Sequence, residues 1–307
     1  MISGSRNGSR DKEESVTSSV LNAFTVDVED YYQVSAFADT VRKDQWSSFE
    51  SRVERNTRRL LDLLDEFRTN GTFFVLGWVA ERNEKLVREI RARGHEIACH
   101  GYSHDLVYNQ SPDEFRAETV RAKSVLEDTL GEAVFGYRAA SYSVTGRSLW
   151  ALDILAETGF TYDSSIFPIS HDRYGISSAP RFPFRLELEH GRSIVEFPLT
   201  TFRFGGIRLP VAGGGYFRLM PYAFTRAGLS RVNRVDSAPG VFYLHPWEID
   251  AQQPRLRGSV LSRLRHYTNI DVCEPRLRRL LADFKWSTMR NVLSQTPLKP
   301  MSIGALA

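Results

Sequence analysis

Short apolar runs alternating with amphipathic stretches of ten or more residues predict an α/β protein built around a parallel sheet. Three observations carry the prediction. AFTVDV (23–28), TFFVLGWV (72–79), HEIACH (95–100), AVFGYR (133–138), FTYD (160–163) and VFYLH (241–245) are short, apolar and rich in β-branched or aromatic residues, as buried strands are. The stretches between the first five carry helical periodicity, and several end in glycine. A chain of 307 residues also buries a large enough core for one such sheet. The order suits a barrel or a doubly wound sheet, and periodicity does not separate the two.

Each element has a local reason. Residues 1–22 are small, polar and charged and read as a flexible tail, with the folded domain running over 23–290. In 49–68, Val53, Leu60, Leu61, Leu64 and Phe67 share one helical stripe, and Gly71 follows. ERNEKLVREIRARG (81–94) is a helix closed by glycine. Ser111 is an N-cap and Pro112 suits the first turn of a helix running to about Leu130. GRSLWALDILAETG (146–159) is a further helix. Residues 164–217, rich in Pro, Gly and short β-like runs, read as an inserted antiparallel β segment, and 220–235 returns to helix. Residues 255–290 hold nine Lys/Arg against three Asp/Glu on a helical pattern with Leu277, Leu280, Leu281 and Phe284 inward; the plain reading is a solvated basic face. Residues 291–307 read as a tail.

Composition excludes some classes. Forty Lys+Arg against 37 Asp+Glu leave a net charge of only +3, too balanced for a protein whose main partner is a nucleic-acid backbone. Two cysteines, Cys99 and Cys273, make no disulfide scaffold. No signal-peptide h-region and no membrane-spanning run are visible, so a cytoplasmic location is the default expectation.

Polar residues gather where the apolar strands end. His100-Gly-Tyr-Ser-His104 follows HEIACH, and two imidazoles four residues apart can share a metal if the segment turns. Asp27-Val28-Glu29-Asp30 closes the first strand; Asp27 and Glu29 share a face by the period of two. One carboxylate can hold a cation while another acts as base. Arg138 can clamp a carboxylate, with Asp163 as one partner for it. His245, beside Trp247, suits a general acid. Each has an ordinary structural reading alone. Together they fall at five strand ends, and parallel strands bring their C-terminal ends to one rim.

The order TVDVED, HGYSH, YRAASY, YDSS, FYLH resembles the five ordered motifs of the polysaccharide deacetylases, the NodB-homology fold of carbohydrate esterase family four. VDVEDYYQVSAF, GYRAASYSV, FTYDSSIFP, GGGYFR and FYLHPWEID, with LRHYTNI beyond, are similar to the subgroup found with bacterial exopolysaccharide and exosortase gene clusters. The resemblance covers about residues 23–290. It implies a deformed (β/α) barrel with fewer than eight regular strands and a divalent metal, usually Zn2+, with Co2+, Ni2+ or Fe2+ also compatible. Carried over, His100 and His104 are metal ligands with Glu29 or Asp30, a choice the sequence leaves open. Asp27 matches the base, Arg138 its orienting partner, Asp163 the brace that tunes the acid, and His245 the acid. Leu244 would line the acetyl pocket, with Tyr142 and Trp247 also facing substrate, and a backbone N–H near Ser141 and Tyr142 would serve the oxyanion. Ala139 and Ala140 stand where the family usually has Pro after the Arg.

The implied activity is hydrolytic removal of N-acetyl groups from N-acetylhexosamine units of a bacterial exopolysaccharide or its precursor, with a metal-activated water as nucleophile. The implied partners are an N-acetylated glycan and, peripherally, a polysaccharide synthesis complex. The alternatives are a C–N amidohydrolase acting on a cyclic amide or ureide, and an inactive sugar-binding subunit.

Overall fold

The computed structural model describes residues 20–171 and 173–306. Twelve strands are present among them: β1 Leu21–Val28, β2 Thr72–Val75, β3 Glu96–Cys99, β4 Gly136–Tyr137, β5 Tyr162–Asp163, β6 Phe184–Glu187, β7 Ser193–Glu196, β8 Thr201–Phe204, β9 Ile207–Pro210, β10 Val241–Leu244, β11 Lys285–Ser287 and β12 Lys299–Ser302. The α-helices are α1 Val53–Glu66, α2 Gly77–Arg82, α3 Glu84–Ala92, α4 Pro112–Leu130, α5 Trp150–Glu157, α6 Gly214–Leu219, α7 Tyr222–Arg234, α8 Val260–Tyr267, α9 Cys273–Asp283 and α10 Met289–Ser294.

The main sheet runs β10-β1-β2-β3-β4-β5-β7-β6-β12, with β11 also pairing β1. Every pairing in it is parallel except β6–β7. This is the expected α/β architecture with a mostly parallel sheet. The chain just after β7 then meets β10: the Thr200 hydroxyl donates to Val241 C=O at 2.8 Å and accepts from Val241 N–H at 2.6 Å. Gly213 forms an isolated bridge with Tyr243. The sheet is thus curved until its two flanks touch. Gly213 is required there: its φ is +128°, and a Cβ would sit 1.9 Å from Tyr243 C=O.

Alternation sorts the side chains. Phe24, Val26, Val28, Phe242 and Leu244 join the layer shared with α1–α5 and α9, whereas Ala23, Val241 and Tyr243 pack with Tyr142, Phe167 and Phe197. Val53, Leu60, Leu61 and Leu64 of α1 are buried as the stripe predicted, and Ser111 opens α4 with a reciprocal capping box to Glu114.

Several boundaries differ from expectation. The strand read from Ala23 begins at Leu21, and the first nineteen residues of the expected tail lie outside the described residues. TFFVLGWV is a strand only to Val75, because Gly77 and Trp78 donate to the carbonyls of Gly101 and Tyr102 and start α2. The expected 81–94 helix divides at Asn83. The antiparallel pairs of 164–217 are present as β6–β7 and β8–β9, but β7 also joins the main sheet beside β5. The stretch from 291, expected as a tail, instead completes α10 and contributes β12, paired with β6. Leu306 and Met301 pack onto the core there, which gives this short terminal strand something to bury.

Candidate active site

The strand ends deliver the side chains. Glu29 N–H donates to Asp27 C=O at 3.0 Å, a tight turn at the end of β1 that keeps both carboxylates on one side. His100 follows β3, and Gly101 (φ +75°) and His104 (φ +56°) bend the loop back so that the two rings lie 5.4 Å apart. A left-handed histidine costs of order 1 kcal/mol or more, a strain found at functional sites.

Glu29, His100 and His104 offer ligand atoms that all lie within 4.8 Å of one another. Glu29 Oε2 lies 2.8 Å from His104 Nε2, yet it is buried and has no hydrogen-bond partner among the described residues. The His100 Nδ1–H donates to Arg138 C=O at 2.8 Å, so its Nε2 lone pair is left for a cation. An unsatisfied carboxylate oxygen and lone pairs from two imidazoles are the donor set of a divalent metal, and these residues fit one. Burial alone raises the Glu29 pKa, but His104, His245 and His100 outweigh it and hold the group well below the usual carboxylate range. Burial pushes His100 down to about 4.

Asp30, the other candidate ligand, lies elsewhere. Its Oδ2 accepts from Ser51 Oγ, Arg52 N–H and Val53 N–H, and its Oδ1 from Tyr31 N–H. It satisfies the free amides at the start of α1 and is turned away from the histidines.

Asp27 Oδ1 accepts from the fully buried Arg138 guanidinium at 2.7 Å, and the Tyr142 hydroxyl is 3.4 Å from Oδ2. Arg138 also donates to Thr25 Oγ1 and to Ser164 Oγ and C=O, and lies over the Phe74 ring. Asp163 is therefore not its partner: the Asp163 carboxylate accepts from Ser165 N–H and Oγ and pairs across the sheet with Glu196. Burial and then the Asp163 charge push Glu196 well above the usual carboxylate range.

His245 Nε2 faces Glu29 at 3.5 Å and Asp27 at 4.0 Å. Its Nδ1 is 2.8 Å from Glu248, whose other oxygen accepts from buried Arg218 at 2.5 Å. Burial lowers the His245 pKa, but Glu29, Glu248 and Asp27 raise it to about 9. Burial raises Glu248, but Arg218 and His245 lower it to about 2. The carboxylate beside the candidate acid is thus Glu248 and not Asp163. The sequence reading missed it, although His-Pro-Trp-Glu has the spacing of a capping box with Pro in the first turn, and Glu248 does accept from His245 N–H.

Two expected substrate contacts are otherwise placed. Leu244 points into the helix-facing core, and Tyr243, one residue earlier, shares the His245 side and packs on Tyr142 with centroids 4.9 Å apart. Trp247 has both ring faces covered, by His245 at 5.0 Å and His266 at 4.0 Å, and its Nε1–H donates to Glu29 at 3.3 Å. It supports the site from behind. Tyr142 is at the site, but its N–H is spent on Ala139 C=O, so it is not a free oxyanion donor. Residues 31–49 fold over the rim: Ser35 Oγ lies 2.8 Å from Ser141 Oγ, beside a cavity of about 190 Å³ that reaches His104.

The fold is an α/β one in which a curved, mostly parallel sheet carries these side chains at its strand ends. Residues 38–162 match the family model described as polysaccharide deacetylase, and residues 164–294 match one described as a domain of unknown function (DUF3473). Residues 38–162 are thus similar to a polysaccharide deacetylase domain of the NodB-homology type. It is 30% identical over 100 residues to a chitooligosaccharide deacetylase of Bradyrhizobium sp., covering 33% of this chain and 43% of that protein. It is 34% identical over 77 residues to a peptidoglycan-N-acetylglucosamine deacetylase of Bacillus cereus, covering 25% and 28%. The chain thus spans less than half the length of these curated relatives. A solved Mycobacterium smegmatis protein assigned to the polysaccharide deacetylases shares the fold, with a TM-score of 0.60 at 23% identity over 92% of this chain and 93% of that one.

Proposed function

We propose that this protein is a metal-dependent hydrolase that removes N-acetyl groups from N-acetylhexosamine units of a glycan, a bacterial exopolysaccharide or its precursor. The observation that carries the reading is the meeting of three groups at one rim: Asp27 held by Arg138, the Glu29–His100–His104 donor set, and His245 held by Glu248. Glu29, His100 and His104 would hold the cation, which when bound supplies Lewis acidity and makes water ionisable near neutral pH. Asp27 is the base that takes the proton from the attacking water. Arg138 fixes which Asp27 oxygen faces that water. As the C–N bond breaks, His245 Nε2–H protonates the departing amine, so the sugar leaves as a neutral amine and the acyl group as acetate. Glu248 holds the Nδ1–H and so keeps Nε2 aimed inward. The buried surroundings, with Trp247, Tyr142 and Tyr243 close-packed, keep bulk water from screening these charges.

The test is acetate release from N-acetylated oligosaccharides. EDTA is expected to abolish it and zinc or cobalt to restore it. His100→Ala is expected to lose metal, whereas Asp27→Asn keeps metal and loses turnover. Turnover unchanged in chelator removes the cation from the reaction. Hydrolysis of a ureide without acetate release, or glycan binding without products, replaces this reading with the amidohydrolase or the binding subunit.

A further inference from the structure

Helix α8 is exposed along nearly its whole length, and its one buried residue is His266. Val260, Leu261 and Leu264 stand 74%, 56% and 57% exposed. At 3.6 residues per turn these three share one outward face, with Arg263 on one flank and Arg265 on the other. The face does not end with the helix. Arg218 at the end of α6 donates to the carbonyls of Arg265, His266 and Thr268, and the next two residues, Leu219 and Met220, are also exposed. Large exposed apolar side chains gathered in this way mark an interaction surface.

Charge says what covers it. Residues 251–270 contain four arginines, Arg255, Arg257, Arg263 and Arg265, and no Asp or Glu. All four are exposed, and none forms an ion pair with a carboxylate among the described residues. Elsewhere on this surface arginines are commonly paired, as Arg93 is with Asp62 and Asp65. An apolar strip flanked by unpaired arginines is complementary to an anionic bilayer: the apolar side chains enter the interface while the guanidinium groups stay at the headgroups.

We infer that α8 and the end of α6 form a docking face for an anionic lipid surface. Helix α8 adjoins the candidate site from behind, since His266 of α8 stacks on Trp247 and Trp247 on His245. Docking there would hold a glycan carried on a membrane lipid close to the molecule that carries that site. This last consequence rests on the deacetylase reading, whereas docking itself does not.

The test is co-sedimentation of the full chain with vesicles of phosphatidylglycerol and phosphatidylcholine (3:7), compared with phosphatidylcholine alone. Wild type is expected to partition at least tenfold more strongly onto the anionic vesicles and to be released by high salt. Leu261→Ser with Leu264→Ser, and separately Arg263→Glu with Arg265→Glu, are each expected to weaken partitioning at least tenfold with an unchanged melting temperature, since all four side chains are exposed. Failure of wild type to bind, or equal binding by wild type and both variants, overturns the inference. So does a wild-type dimer in sedimentation that the Leu261→Ser, Leu264→Ser variant loses, which would assign the face to a second copy of the chain. Vesicle binding without acetate release would sink the deacetylase reading and leave docking standing.

Discussion

Glu29 and Asp30 are adjacent carboxylates with unlike surroundings, one beside two imidazoles and the other over the first amides of α1. Glu29→Gln is expected to leave zinc or cobalt well below one ion per chain. Asp30→Ala is expected to keep the metal and to lower stability by about 1–2 kcal/mol, the loss of a helix cap. Metal analysis and urea unfolding read the two effects, and a Glu29→Gln protein that still holds a full equivalent contradicts the assignment. The sequence left this pair open because strand periodicity cannot say at which residue a strand stops. The turn from Asp27 to Glu29 brings Glu29, and not Asp30, beside the two imidazoles. The resemblance alone puts Leu244 in the pocket, whereas alternation from His245 puts Tyr243, not Leu244, on the site's side of β10.

At the scale of elements, β3 enters with a buried histidine. His95 Nδ1 accepts from Gly71 N–H, its ring packs on Phe73, and burial lowers its pKa to about 4. A histidine kept neutral in the fold but titrating near 6.5 when unfolded favours the native state above pH 6.5. That stability is lost as pH falls toward 4, at about 1.4 kcal/mol per pH unit for this one group. Urea midpoints at pH 7 and pH 4.5 are expected to differ less for His95→Gln than for wild type, since glutamine can accept from Gly71 without titrating. Equal differences would show that His95 plays no part in the acid limb. The helices with clean stripes and caps, α1 and α4, were legible in sequence. β4 and β5 are only two residues long, and β12 is short and exposed, so local pattern could not bound them; long-range pairing defines them.

At the scale of the molecule, the convergence at one rim was legible because parallel strands share a direction. Arg218 was not, because its pairing with Glu248 depends on packing between segments 30 residues apart. The gathered donors of Glu29, His100 and His104 also link metal binding to the stability of the whole sheet. At a hundredfold excess of zinc over its dissociation constant the fold is expected to gain about 2.7 kcal/mol, a rise in Tm of roughly 5 °C. Calorimetry with and without EDTA reads this, and His100→Ala is expected to remove it. An unchanged wild-type Tm would mean that no ion binds the native state selectively.

β1 sits between β2 and β10, and the bond from Thr25 to Phe242 joins residues 217 apart in sequence. A ribosome therefore extrudes the first strand long before its neighbour on one side exists. Until Val241 emerges, one flank of β1 has open amides and carbonyls, the template on which nascent chains mispair. Polypeptides stalled before that point should be the ones that recruit chaperones, and the rim that gathers Asp27, Glu29 and His245 should be among the last parts of the molecule to take shape during synthesis.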